Sequence, residues 1–161
     1  MANWCSNRVE FIGEDKALQE VHEFFVTMQN AEETTGNGQL PDFMETESGY
    51  FFSLYRNEGD VGVFEYETRW SPNTDVLKVI ADRFGVGFTH EYKETGNCIY
   101  GVIEYKDGDE TETDLDFEDF DRYEYNEDDG LYYFEGDTYE SDYEILEILL
   151  ERKLHTQNIT L

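Results

Sequence analysis

Acidic side chains recur at every second position in one stretch of this 161-residue chain. We call this set the acidic ladder, and its members are Glu110, Glu112, Asp114, Asp116 and Glu118. In a β-strand, alternate side chains share one face and lie about 6–7 Å apart, which is broadly the spacing of successive phosphates in a nucleic-acid strand. The ladder therefore predicts a surface that binds a basic partner. It also fits a solvated face that prevents an edge strand from pairing with other chains.

The acidic ladder lies in the most acidic part of the chain. Residues 104–147 hold 20 Asp and Glu, only two basic residues and ten Tyr and Phe. A disordered acidic tail would have few aromatic residues, so this segment is predicted to fold and to display its carboxylates. The net charge of −28 argues against direct binding of nucleic acid or of anionic membranes. A basic protein, such as a nucleic-acid-binding protein, is the predicted partner.

Residues that bind metals are scattered along the chain. Zinc sites need local pairs of Cys or His, and no such pair occurs among Cys5, His22, His90, Cys98 and His155. A calcium-binding EF-hand loop fails as well, because placing Gly130 at its sixth position puts Tyr125 at the first. The sequence therefore predicts no metal and no cofactor.

Catalytic motifs are similarly lacking in the sequence. A cysteine nucleophile needs an adjacent histidine, and His90 and Cys98 flank a predicted turn, but that spacing alone does not establish a catalytic pair. Pairs of carboxylates are too abundant among 39 acidic residues to specify a hydrolase. No catalytic residue is predicted, and an enzyme with a cleft that the sequence does not reveal stays the alternative.

The aromatic and thiol residues allow two interpretations each. Trp4 and Trp70 are expected in the core or at its edge rather than as ligand platforms. The tyrosines of residues 123–133 either build a sheet or anchor a partner. Cys98 is expected to be buried on a strand and the histidines partly exposed. No apolar stretch approaches the roughly 18 residues that span a bilayer, so a cytoplasmic protein with reduced thiols is expected, with a disulfide as the alternative.

Hydrophobic periodicity predicts six elements in the first part of the chain. Strands are predicted at Arg8–Gly13, Tyr50–Tyr55, Val61–Trp70 and Phe88–Glu94, and helices at Asp15–Met28 and Pro72–Phe84. Ser71 is the predicted N-cap of the second helix. The order β-α-β-β-α-β predicts an α+β fold of the ferredoxin-like, split βαβ type, with both helices on one face of an antiparallel sheet.

The remaining residues predict an acidic extension. A strand at Ile99–Tyr105, a turn at Asp107-Gly108 and a strand at Glu110–Phe117 are followed by a hairpin of Phe120–Tyr125 and Leu131–Phe134. Ser141 begins a helix that runs to about Leu154. We therefore expect one compact unit, in which residues 106–161 form a C-terminal strand and helix extension packed on a core of residues 1–105.

Three stretches resemble the YubB ferredoxin-like family, whose small proteins occur on plasmids and phages. They are residues 1–13, which begin Met-Ala-Asn-Trp-Cys-Ser-Asn, residues 67–73, which contain Trp-Ser-Pro, and residues 88–105 with their Gly96-Asn97 turn. The resemblance covers about residues 1–105 and implies a ferredoxin-like fold in a mobile-element setting. It implies no catalytic residue and no iron–sulfur cluster.

Together these observations predict a non-enzymatic interaction protein associated with a mobile element. Its acidic ladder would face a basic protein and, in the sharpest form of the hypothesis, would imitate nucleic acid. A small enzyme or metal-dependent protein, and a structural or accessory module of a mobile element, are the alternatives.

Overall fold

The chain forms two compact units. The computed structural model describes the backbone of residues 3–160 and the side chains of residues 3–156. Unit 1 contains the described residues up to Glu94 together with Val102–Glu112, and unit 2 contains Thr95–Gly101 and the described residues from Thr113 onwards. This division differs from the predicted one after residue 105, because one hairpin contributes residues to both units.

The elements alternate in the first part of the chain and become short in the second. They are β1 Trp4–Ile12, α1 Asp15–Thr35, β2 Phe52–Tyr55, β3 Val63–Arg69, α2 Thr74–Phe84, β4 Gly87–Glu94, β5 Ile99–Lys106, β6 Asp109–Asp114, α3 Phe117–Phe120, β7 Glu124–Asn126, β8 Leu131–Phe134, β9 Asp137–Tyr139 and α4 Asp142–Thr160. No helix within residues 3–160 combines the length and the apolar character needed to cross a membrane.

The sheet of unit 1 is built around β1. Its strands lie in the order β2-β3-β1-β4, and β5 and β6 continue the sheet beyond β4. β1 pairs antiparallel with both neighbours, so that Val9 lies opposite Phe64 on one side and His90 on the other. This order is that of the split βαβ arrangement, and the predicted ferredoxin-like α+β fold is confirmed.

Both helices of unit 1 pack on the same face of this sheet. The ring of Phe25 in α1 stacks on that of Phe64 at a centroid distance of 4.6 Å. In α2, Thr74 Oγ1 lies 3.1 Å from the His90 ring. Because Phe64 and His90 both lie opposite Val9, their side chains point to one face. The prediction that the two helices share a face is therefore confirmed.

Helix α1 continues seven residues beyond its predicted end at Met28. The apolar stripe ends there, but the last turns carry Glu32, whose carboxylate accepts hydrogen bonds from the amides of Ser53 at 2.7 Å and Leu54 at 2.9 Å. Gly36 then ends the helix in the left-handed conformation, with φ of 74°. A polar contact with the edge strand thus accompanies the extension of the helix.

Helix α2 begins later than predicted. The Ser-Pro signal favoured a start at Pro72, but the first helical residue is Thr74 and the N-cap is Asn73. The Asn73 side chain makes no capping bond. It accepts a hydrogen bond from the Tyr66 hydroxyl at 2.8 Å and donates one to the carbonyl of Gly49 at 3.0 Å. The Asn73 side chain therefore makes tertiary hydrogen bonds instead of capping α2.

Two-residue turns set the hairpins of the second part. Asp107 and Gly108 both have positive φ, of 52° and 83°, which confirms the predicted tight turn. Glu135 and Gly136 form a similar turn with φ of 49° and 86°, and it leads into β9. This third strand was not predicted, because Glu is an unusual residue at a left-handed position.

Unit 2 contains a small antiparallel sheet in the order β7-β8-β9 and the helix α4. Its core consists of Tyr100, Leu115, Phe134, Ile145, Leu146, Leu149 and Leu150. The predicted helix is present and extends to Thr160, and the predicted hairpin forms, but its first strand is Glu124–Asn126 instead of Phe120–Tyr125, because Phe120 belongs to α3. Four of the seven core residues belong to α4, so the folding of unit 2 depends on the docking of this helix within the unit.

We expect Leu149→Asp to destabilise unit 2, because Leu149 is 2% exposed and a buried carboxylate would have no partner in this apolar core. The loss in unfolding free energy should be roughly 3–5 kcal/mol. Hydrogen exchange of the α4 amides in urea measures it. Glu151→Ala, on the exposed side of the same helix, is the control and should behave like wild type. If the α4 amides of Leu149→Asp were as well protected from exchange as those of wild type, Leu149 would not belong to the core of unit 2.

Candidate binding surfaces

The acidic ladder is interrupted after its third member. Glu110, Glu112 and Asp114 alternate along β6 as predicted, but β6 ends at Asp114. Asp116 is the N-cap of α3, and Glu118 lies within that short helix. The predicted strand to Phe117 is therefore wrong, and the five carboxylates do not form one continuous row. Their role in partner binding stays a prediction.

A reciprocal capping box causes this change of structure. The Asp119 amide donates to the Asp116 carboxylate at 3.1 Å, and the Asp116 amide donates to the Asp119 carboxylate at 2.9 Å. Lys153 Nζ lies 2.6 Å from Asp119 and 3.5 Å from Asp116. The backbone hydrogen bond and this lysine lower the pKa of Asp116. The Asp-x-x-Asp spacing was visible in the sequence and could have revealed the helix start.

The first residue of the acidic ladder, Glu110, forms an ion pair. Lys78 Nζ lies 2.7 Å from a carboxylate oxygen of Glu110 within unit 1. Glu110 and Asp116 therefore have structural partners, whereas Glu112, Asp114 and Glu118 are exposed. These three carboxylates are the ladder residues best placed to meet a partner.

Unit 2 carries a large excess of negative charge. It contains 16 Asp and Glu against Arg122, Arg152 and Lys153. Both arginines pair with Glu135, at 3.0 Å and 2.7 Å, and both lie over the ring of Phe134. Lys153 pairs with the α3 capping box. All three cations thus brace the unit internally, and the remaining carboxylates outnumber them.

Exposed tyrosines lie among these carboxylates on the β7–β8 hairpin. We define the hairpin surface as Glu124, Tyr125, Glu127, Asp128 and Tyr133, which line a shallow depression. Tyr125 is 56% exposed and Tyr133 is 40% exposed. Tyr125 packs against Tyr132 at a centroid distance of 4.9 Å, and the Tyr133 hydroxyl donates to Asp129. These tyrosines therefore build the sheet and also present ring surface to solvent.

A second candidate surface lies in unit 1. The groove has a volume of about 880 Å³ and runs between the loop of residues 43–50 and the start of α2. We call it the Trp70 groove. Its aromatic lining comes from Phe43, Tyr50, Phe52 and Trp70, and its charged lining from Glu45, Glu47, Asp75 and Arg69.

Trp70 itself is held in an unusual conformation. It was predicted to continue the buried face of β3, but the strand ends at Arg69 and Trp70 has φ of 70°. Its amide donates to the carbonyl of Asn3 at 2.7 Å, and its side chain is 54% exposed. A left-handed bulky residue is an outlier of the kind that clusters at functional sites. Trp4 is also exposed, at 44%, so the two tryptophans lie outside the core.

A buried network of hydrogen bonds in unit 1 connects to the residues that form the groove. Asn7 Nδ2 donates to Cys5 O at 3.0 Å and to Thr68 Oγ1 at 2.9 Å, so its Oδ1 is left to accept from His90 Nε2 at 2.8 Å. His90 Nδ1 then accepts from Thr74 Oγ1. This bonding pattern assigns the neutral Nε2–H tautomer. The Thr68 hydroxyl donates onwards to Ser71 O at 2.7 Å, which ties the Trp70 loop to the sheet.

The histidine and cysteine environments differ from those predicted. His90 is fully buried and burial lowers its pKa to about 3, while His22 is also buried with a lowered pKa. Cys5 is buried, and burial raises the pKa of its thiol to about 11. Cys98 precedes β5 and is only half-buried. Both cysteines are free thiols.

The environments of His90 and Cys5 do not suit nucleophilic catalysis. Both ring nitrogens of His90 are engaged, by Asn7 and by Thr74, and the raised thiol pKa of Cys5 disfavours a thiolate. Among the residues that the structure describes, no group of three or more His, Cys, Asp and Glu side chains is arranged to hold a metal ion.

The lowered pKa of His90 makes stability depend on pH. As pH falls below about 6.5, the unfolded chain binds a proton at this histidine before the folded chain does, so its contribution is complete above pH 6.5 and is lost progressively towards pH 3. His90→Gln removes this titration. Between pH 7.5 and pH 5, wild type should lose about 2 kcal/mol of unfolding free energy relative to the variant.

Urea unfolding of both proteins at the two pH values measures this difference. The carboxylates and His22 titrate in both proteins, so their effects largely cancel in the comparison. A difference between wild type and His90→Gln that is independent of pH would show that His90 is protonated equally in the folded and unfolded states.

Comparison with known proteins supports the fold assignment. The family described as ferredoxin-like domain in Api92-like protein matches residues 49–135, which is more than half of the chain. No curated protein and no solved structure matches the chain. The match begins just before β2 and ends just after β8, so it includes Trp70 and all five residues of the hairpin surface, but only residues 49–50 of the groove loop. The chain therefore belongs to the family of the ferredoxin-like domain in Api92-like protein.

Proposed function

We propose that this protein is a non-enzymatic binding protein whose unit 2 presents an acidic, tyrosine-containing surface to a basic protein. One observation carries the proposal: unit 2 has 16 acidic residues, and its three basic side chains are all engaged in ion pairs within the unit. The outward field of the unit is therefore strongly negative. Such a field attracts basic proteins and speeds their association.

The hairpin surface would supply the central contacts. Glu124 and Tyr133 are cross-strand partners and share one face, so partner arginines and lysines can pair with Glu124 while their side chains pack on the ring of Tyr133. Tyr125 presents its ring on the other face, and Glu127 and Asp128 lie in the turn between the two strands. Tyrosine is enriched at interface hot spots because its rigid ring buries much area and its hydroxyl can hydrogen bond. Phe117, which is 72% exposed beside Glu118, offers a further apolar contact.

The remaining ladder residues would widen this surface. Asp114 and Glu118 are exposed residues of unit 2, and Asp114 is the last residue of β6. A basic nucleic-acid-binding protein is the partner class that such spaced negative charges suit best, because its surface is built to neutralise phosphates. The resemblance to the YubB family extends this proposal to a cytoplasmic, mobile-element setting, in which the acidic surface imitates nucleic acid.

Neutralising the hairpin surface should abolish most of this binding. We expect the triple variant Glu124→Gln, Glu127→Gln and Asp128→Asn, immobilised on beads, to capture fewer basic proteins from a cell lysate than wild type does. Capture by wild type should also fall as salt rises, since exposed charges are screened beyond about 8 Å at physiological ionic strength. Quantitative mass spectrometry at low and high salt measures both effects.

A matched variant separates a specific surface from overall charge. Glu20→Gln, Glu33→Gln and Glu58→Gln remove the same number of negative charges from exposed positions of unit 1. This control should retain capture. Asp116 is left unchanged because its substitution would disrupt the α3 cap. Equal capture by the hairpin variant, the control and wild type would refute the proposal.

A further inference from the structure

We propose that the Trp70 groove of unit 1 binds an arginine side chain of a partner protein. This site is separate from the hairpin surface, and it rests on its own observations. It shares with the proposed function only the sign of the charge on the partner.

Charge complementarity favours a cationic occupant. The groove is lined by three carboxylates, from Glu45, Glu47 and Asp75, against the single guanidinium of Arg69. Arg69 is itself occupied by aromatic rings, since its guanidinium lies 4.8 Å from the centre of Phe52 and 5.7 Å from that of Trp4. Asp75 lies 4.0 Å from Lys78 Nζ, so the carboxylates of Glu45 and Glu47 carry the excess negative charge that would meet an incoming cation.

The chain already displays the recognition chemistry beside this groove. Besides Arg69 on Phe52, Arg83 lies over the ring of Phe43 at 4.3 Å. Guanidinium groups stack on aromatic faces because the ring quadrupole attracts a weakly hydrated planar cation. Tyr50 and Trp70 contribute further exposed rings to the same lining. Because Arg69 and Arg83 cover Phe52 and Phe43, an arginine from another protein would meet the rings of Tyr50 and Trp70 together with the carboxylates of the lining.

The walls of the groove are preorganised for binding. Asn73 joins the two walls, because its side chain bonds to Tyr66 in the sheet and to the carbonyl of Gly49 in the loop. Gly49 has φ of 84°, and a Cβ there would lie 2.8 Å from Val76, so the loop approaches α2 as closely as glycine allows. Trp70 is held in its left-handed conformation by the Asn3 carbonyl. Little ordering is then left to oppose binding.

Trp70 fluorescence gives a direct test. Trp4→Phe leaves Trp70 as the only tryptophan while keeping an aromatic ring beside Arg69. The probe is a short acetylated and amidated glycine peptide with one central arginine, and its matched control carries citrulline, which has the same shape without the charge. We expect the arginine peptide to change Trp70 emission with saturation, and the citrulline peptide to bind roughly three- to tenfold more weakly.

Two groove variants extend the test. In the Trp4→Phe background, Glu45→Gln with Glu47→Gln should weaken arginine-peptide binding severalfold, whereas the matched pair Glu20→Gln with Glu33→Gln should not. Trp70→Asn removes the ring but tolerates positive φ, and calorimetry should show its binding lost. Circular dichroism confirms that each variant is folded.

The outcomes distinguish this site from the proposed function. The hairpin triple variant should bind the arginine peptide at the groove as wild type does, whatever its effect on capture from lysate. Equal affinity for the arginine and citrulline peptides, or equal affinity of the two glutamate-pair variants, would overturn the groove assignment and leave the hairpin surface unaffected.

Discussion

The hydrogen bonds of the buried Asn7 side chain are the interactions on which unit 1 depends most. This residue lies on the central strand β1, and its amide joins the backbone of Cys5, the hydroxyl of Thr68 and the ring of His90. Buried polar groups are costly unless they are paired, so this arrangement is stable only when all partners are in place. Through Thr68 and Thr74 it connects the sheet to the loop that holds Trp70 and to the start of α2.

Charge imposes the second constraint on this molecule. A net charge of −28 opposes folding through repulsion between carboxylates. Burial of many aromatic rings in the core offsets this repulsion, and most carboxylates lie at the surface, where water screens them. Its few cations are placed where they brace structure: Arg122 and Arg152 hold Glu135 beside Phe134, and Lys153 holds the α3 cap. The excess negative charge is consequently displayed rather than neutralised within unit 2.

The two candidate surfaces both combine carboxylates with aromatic rings, but they differ in shape. The hairpin surface is shallow and offers several carboxylates around tyrosine rings, which suits an extended basic surface. The Trp70 groove is deeper and better supported, which suits a single side chain. The groove also depends on the buried network of Asn7 and His90, to which Thr68 and Thr74 connect it.

The sequence by itself determined the element order up to β4 and the antiparallel core, because alternating residues such as Val9 and Phe11 and the helical stripes that contain Phe25 and Ile80 report burial directly. The left-handed Gly85 also marked the end of α2, and Gly108 marked the turn at Asp107-Gly108. The sequence determined the acidity of the second part as well, since composition needs no structure.

Only the tertiary structure decided where Asn73, Trp70 and His90 lie, because each is placed by partners distant in the sequence. Asn73 bonds to Tyr66 and Gly49 instead of capping α2, and His90 is buried through Asn7, 83 residues away. Local patterns predicted a regular acidic ladder through Glu118, but the strand ends at Asp114. Two contacts accompany this end: the Leu115 amide donates a hydrogen bond to the carbonyl of Tyr100, and Lys153 forms an ion pair with Asp119. Pairings of this kind depend on which segments meet in space, and a local pattern does not contain that information.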